Sequence, residues 1–107
     1  MNLTSQTGLT SKEIENLNSV FSQYKEIDEV LIYGSRAMKT YKPGSDIDLT
    51  IKLKNGYQPN LSLYSEIADQ LDNLSLIYFI DLSFLKEIQN PDLIDHINRV
   101  GIKIYQA

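Results

Sequence analysis

The stretch VLIYGSRAMKTYKPGSDIDLTIKL, residues 30–53, places two strand-like runs on either side of a polar turn marked by glycines. Its second half alternates. Ile47, Leu49, Ile51 and Leu53 fall between Asp46, Asp48, Thr50 and Lys52, a period of two. Successive side chains of a strand point to opposite faces, so this reads as a half-buried strand with one apolar and one polar side. Val30-Leu31-Ile32-Tyr33 reads as a shorter buried strand stopped by Gly34. Between the two, residues 35–41 are expected to start a helix, and Pro43-Gly44 to turn the chain back.

Working outward, Thr10 and Glu13 have capping-box spacing, and Ile14, Leu17, Phe21 and Tyr24 recur at helical intervals. Downstream, Asn55-Gly56 ends the alternating strand, and Pro59-Asn60 opens a helix carrying Leu61, Tyr64, Ile67, Ala68 and Leu71. A third strand is expected from about Leu76 to Leu82. Asn90-Pro91 caps a last helix with Ile94, Ile97 and Val100 inward. Gly101 ends it, and Ile102-Lys103-Ile104-Tyr105 adds a short edge strand. The order is α-β-α-β-α-β-α-β. It implies an α/β (α+β) fold, a small mixed sheet of three to four strands with helices mainly on one face. The other face stays partly open, because it carries the aspartates.

Composition narrows the function. A length of 107 residues predicts one domain spanning 1–107. There is no cysteine, which rules out thiol catalysis, Cys-ligated zinc and disulfides, and fits a reducing compartment. Residues 1–10 lack the charged and apolar regions of a signal peptide. The apolar stretch of residues 74–85 is interrupted by Ser75, Asp81 and Ser83, far short of the roughly 20 residues of a membrane span. A soluble, cytoplasmic protein is expected. A net charge of −4 argues against a duplex-DNA module but not against metal-bound nucleotides.

The chemistry-bearing residues lie in and beside the opening stretch. Asp46 and Asp48 are two apart on a strand, so they point the same way about 6.6 Å apart. Two neighbouring carboxylates repel, and a hard divalent cation such as Mg²⁺ removes the conflict while gripping a phosphate oxygen. The plainer reading is a solvated strand face. Gly34 permits close backbone approach, and the expected helix start after it offers free N–H groups to a phosphate, with the Ser35 hydroxyl as a further donor. An ordinary strand-to-helix turn would look the same. Asp81 has two readings: it caps a short helix holding Phe84 and Leu85, or it joins Asp46 and Asp48 if the third strand neighbours the second. Three carboxylates would make a two-metal site.

Gly34-Ser35-Arg36-Ala37 followed by Ser45-Asp46-Ile47-Asp48-Leu49, with Asp46 twelve residues after Gly34, resembles the signature of the DNA polymerase β-like nucleotidyltransferase superfamily. The likeness is greatest to its minimal nucleotidyltransferases, and it covers nearly the whole chain. The resemblance implies that Gly34, Ser35 and Arg36 bind nucleotide, that Asp46, Asp48 and Asp81 bind Mg²⁺ and act in catalysis, and that ATP is the donor. It also implies a helical HEPN toxin as partner, with this chain as the antitoxin of the pair. The chain would then transfer AMP to a hydroxyl, expected to be a tyrosine, on that toxin. The family often has glycine where this chain has Lys39.

Other residues weigh less. Arg36 either neutralises a phosphate or pairs with a surface carboxylate. Lys39, Lys42 and Lys52 are solvated or lend charge near a triphosphate. His96, the single histidine, reads as an ordinary helical residue. Tyr33, Tyr41 and Tyr57 either stack on a base or pack. The chain looks too small to enclose an acceptor by itself. Two other functions stay open: an antitoxin that neutralises its partner by occlusion alone, and a transferase acting on a small hydroxylated molecule such as an aminoglycoside.

Overall fold

The computed structural model describes residues 3–42 and 44–107. The chain runs α1 (Leu3–Thr7), α2 (Ser11–Phe21), β1 (Ile27–Tyr33), β2 (Ile47–Leu53), α3 (Leu61–Asp72), β3 (Ile80–Phe84), a single 3₁₀ turn, α4 (Pro91–Val100) and β4 (Ile102–Gln106). The sheet order is β3-β2-β1-β4. β1 pairs antiparallel with both β2 and β4, and β2 pairs parallel with β3. The sheet is therefore mixed, as the sequence predicts, with β4 at one edge.

Helix starts follow their capping residues. The Glu13 amide donates to Thr10 Oγ1 at 3.1 Å while the Thr10 amide donates to Glu13 Oε1 at 2.9 Å, which closes the capping box of α2. Asn60 accepts from the Leu63 amide at 2.8 Å at the start of α3. Asn90 Oδ1 accepts from the amides of Asp92 and Leu93 at the start of α4, with Pro91 at the first helical position. The core gathers Ile14, Leu17, Val20 and Phe21 of α2 and Leu63, Ile67 and Leu71 of α3 against Val30, Ile32, Ile47, Leu49 and Ile51 of the sheet. Ile97 of α4 is also buried but lies outside that cluster, where α4 packs on β1.

Several elements depart from the sequence reading. No helix forms over 35–41; residues 34–39 are turns, and Lys39 sits in the left-handed region with φ 60°. A lysine in that conformation stops helical propagation. The expected Pro43-Gly44 turn falls partly outside the described residues, since Pro43 is not among them. β3 begins at Ile80 rather than near residue 76, because only residues 80–84 find ladder partners on β2. Ile77 and Phe79 are consequently exposed (83% and 70%). On α3 the buried residue of the first turn is Leu63, whereas Leu61 faces solvent. On α4 only Ile97 is fully buried, with Ile94 and Val100 partly covered. The short α1 has no counterpart in the periodicity. Its buried Thr7 hydroxyl donates to the Leu3 carbonyl at 2.7 Å and accepts from the Leu9 amide. No helix among the described residues is long and apolar enough to cross a membrane.

Candidate active site

The parallel ladder between β2 and β3 sets Asp48 directly beside Asp81, and the antiparallel ladder sets Tyr33 of β1 on the other flank of Asp48. Asp46 immediately precedes β2 and is exposed. In β3 the buried residues are Leu82 and Phe84, so Asp81 and Ser83 occupy the opposite, open face. Asp81 is thus a mid-strand residue; it caps no helix, and Phe84, not Asp81, precedes the 3₁₀ turn. Below the carboxylates Thr50 is fully buried, and the Ser83 hydroxyl donates to its Oγ1 at 3.0 Å.

Charge is uncompensated here. Partial burial raises the Asp48 carboxyl above its ordinary pKa, and the charges of Asp81 and Asp46 push it further, with His96 pulling slightly the other way. The Tyr33 phenol is raised by burial, lowered in part by a hydrogen bond with Ser83, and raised again by Asp81 and Asp48. The ion pairs among the described residues join Arg99 to Asp95 and Lys103 to Glu29, and neither touches the three carboxylates. Mutually repelling oxygen donors without a cationic side chain suit a hard divalent ion. They are not a finished cage: among the described residues no three acidic, histidine or cysteine side chains are already gathered closely enough to hold one. A shared ion would call for side-chain rotation about the Asp48–Asp81 pairing.

The turn after β1 abuts this cluster. Gly34 is left-handed at φ 73°, and a Cβ built on it would collide with Asp48 Oδ2. Only glycine allows the carboxylate to lie against the backbone there. The Met38 amide donates to the Gly34 carbonyl, Lys39 to that of Arg36 and Thr40 to that of Ser35. The amides of Ser35, Arg36 and Ala37 have no partner among the described residues. The expected helix and its dipole are missing. Three consecutive N–H groups without a partner among the described residues, after a left-handed glycine, are nevertheless of the kind that can hold an anion.

Arg36 behaves differently from either sequence reading. Its guanidinium is buried (2% exposed): Nε and Nη2 donate to the Ser45 carbonyl at 3.3 and 2.9 Å, and Nη1 donates to the Thr7 carbonyl at 3.1 Å. The rings of Tyr78 and Tyr41 lie 4.5 and 5.2 Å from it. Its donors are thus directed to backbone carbonyls rather than outward, and it ties the turn to α1 and to the residue before Asp46. The apolar and aromatic carbons around it, invisible in a one-dimensional reading, take the place of a surface partner.

Two participants escaped the sequence. Gly34 N–H donates to His96 Nε2 at 3.1 Å across 62 positions, and the imidazole stands edge-on to Tyr33 with centroids 6.2 Å apart. No local signal could mark a lone helical histidine for that role. Tyr33 was legible as a strand residue, but its position beside Asp48 depends on register. Lys39 and Lys42 lie in the segment between β1 and β2, but Lys52 stands apart. Lys52, Lys54 and Lys86 line, with Tyr57, a cleft of about 280 Å³ at the far end of β2, whereas Asp46 and Asp81 are exposed and Asp48 is half-buried.

A family profile described as "Polymerase beta, Nucleotidyltransferase" matches residues 15–107. No curated protein matches in sequence. Among solved structures, a chain of a toxin–antitoxin complex with AMP-PNP superposes with TM-score 0.68 at 19% identity, covering 92% of this chain and 75% of that one. A chain of the MntA–HepT toxin–antitoxin crystal structure gives TM-score 0.64 at 12% identity, covering 92% and 74%. A third similarity is to a chain of the tri-AMPylated Shewanella oneidensis HEPN toxin in complex with MNT antitoxin, with TM-score 0.58 and 14% identity over 89% and 73%. At these identities the superpositions establish a shared fold.

Proposed function

Because the chain belongs to the polymerase β-like nucleotidyltransferases, we propose that it transfers AMP from ATP to a hydroxyl of a partner protein. One observation carries this reading: Asp48 faces Asp81 across a ladder, with Asp46 close enough to raise Asp48, beside the free amides of Ser35, Arg36 and Ala37.

In this mechanism the acceptor oxygen attacks the α-phosphorus in line, a new P–O bond forms, and the bond to the bridging α–β oxygen breaks as pyrophosphate leaves. Asp81 takes the hydroxyl proton. The amides of Ser35 to Ala37 and the Ser35 hydroxyl cradle the outgoing phosphates. Asp46, Asp48 and Asp81 would hold Mg²⁺, which supplies neutralisation of the charge developing on the phosphate oxygens. Gly34 serves by keeping the backbone and Asp48 in contact. Arg36 serves through the backbone it anchors.

The solved structures of similar fold are toxin–antitoxin complexes, one with AMP-PNP and one with a tri-AMPylated HEPN toxin. They support a HEPN toxin as partner, whereas a tyrosine hydroxyl as acceptor rests on the family resemblance alone. The test is incubation of the chain with labelled ATP, Mg²⁺ and the candidate partner. Label should enter the partner with wild type and fall about a hundredfold or more with Asp46→Asn or Asp48→Asn. Equal labelling by the variants, or none by wild type, would sink the transferase reading. The exposed Ile77 and Phe79 beside β3 offer apolar contact and favour occlusion as a second reading. Under occlusion the Asn variants would still protect cells from the toxin.

A further inference from the structure

We propose that His96 is a positioning residue, whose Nε2 fixes the Gly34 amide and thereby sets the phosphate-facing turn against Asp48. The role rests on the nucleotidyltransferase reading, but its evidence is geometric. The hydrogen bond of 3.1 Å joins the middle of α4 to the first residue after β1, across 62 positions and partly shielded from water. The edge-on packing on Tyr33 at 6.2 Å holds the ring in one orientation. Tyr33 is itself buried, and its backbone is the register partner of Asp48.

The consequence follows from how little room the turn has. Gly34 is left-handed, and its Cα faces Asp48 Oδ2 with no space for a further atom while that carboxylate stays in place. One backbone amide therefore controls two things at once: the direction of the free Ser35, Arg36 and Ala37 N–H groups, and the seat of the Asp48 carboxylate. An acceptor on a helix, not on another loop, gives that amide a rigid anchor. In this bond Nε2 is the acceptor. Since the Gly34 N–H is engaged by His96, the anion-binding amides are those that follow Gly34.

Two variants separate this role from simple packing. His96→Phe keeps a ring against Tyr33 and removes the acceptor; His96→Gln gives up the ring and keeps an acceptor at similar reach. The readouts are the Gly34 amide in ¹H–¹⁵N spectra, with its hydrogen exchange, and the Kd of the isolated chain for Mg·ATP by calorimetry. In His96→Phe the Gly34 proton should move upfield and exchange about tenfold faster, and Kd should rise about 3- to 10-fold, the worth of one neutral hydrogen bond. His96→Gln should bring both within about twofold of wild type. An unmoved Gly34 amide in His96→Phe overturns the proposal, as does equal impairment of the two variants. Should His96→Phe fail to fold, a Gly34 amide in His96→Gln that is lost from its wild-type position overturns it as well. If wild type binds no Mg·ATP while the Gly34 amide still responds as described, the nucleotidyltransferase reading fails and the hydrogen-bond assignment stands.

Discussion

Lys39 occupies a backbone conformation, φ 60°, that costs a residue with a Cβ about 1–2 kcal/mol. The superfamily it resembles often has glycine at this position, and the positive φ supplies a reason. Lys39→Gly should therefore stabilise the fold by about 1 kcal/mol after the extra unfolded-state entropy of glycine is counted, read as a higher urea midpoint at unchanged slope. Asp48 is the opposite case, a residue whose ionised form is unwelcome where it sits. Its folded pKa is raised by burial and by Asp81 and Asp46, so its contribution to stability is present at low pH and is lost as pH rises through the folded value. Asp48→Asn should melt higher than wild type at neutral pH, and the difference should vanish below about pH 4, where both side chains are neutral. A difference that persists at low pH would point to packing instead. The site is thus held at some cost to stability, as is common where charges converge for chemistry.

Between residues and the whole lie the connections from one element to another, and Arg36 is the clearest of them. It joins α1 through the Thr7 carbonyl, the residue before Asp46 through Ser45, and the segment ahead of β3 through the Tyr78 ring. Arg36→Ala leaves two carbonyls without donors and empties the space between two aromatic rings. It should lower stability by about 3 kcal/mol. Arg36→Lys should recover only part of this, because an ammonium cannot reproduce the planar fork. Denaturant unfolding of the three proteins checks the order. The same segment explains the late start of β3. With Tyr78 turned to Arg36 and Ile77 and Phe79 exposed, the chain meets β2 only from Ile80 onward.

For the molecule as a whole, the two faces of the sheet have different tasks. One is covered by α2 and α3 and supplies the core; the other carries Asp48, Asp81 and Ser83, with α4 over part of β1. Under the proposed function, carboxylates on an open face can reach an acceptor on another protein, and Ile77 and Phe79 lie a few residues from Asp81. Because both are largely exposed, replacing them together with serine should leave stability unchanged within about 0.5 kcal/mol. A larger loss in thermal unfolding would mean that they are buried in solution.

Most of the element order was legible in the sequence, because capping and periodicity act within a few positions. Thr10 with Glu13, Asn60 and Asn90 mark three helix starts, and the alternation from Asp46 to Leu53 marks β2. What the sequence could not give is register: whether Asp81 reaches Asp48 depends on a parallel pairing between segments more than thirty positions apart. Likewise, the charge of Arg36 suggested an exposed cation, and only the folded surroundings offer two carbonyls and two rings that make its burial tolerable. The bond from Gly34 to His96 belongs to the same class. Local rules fix which elements form, whereas contacts between distant elements exist only after packing has chosen their neighbours.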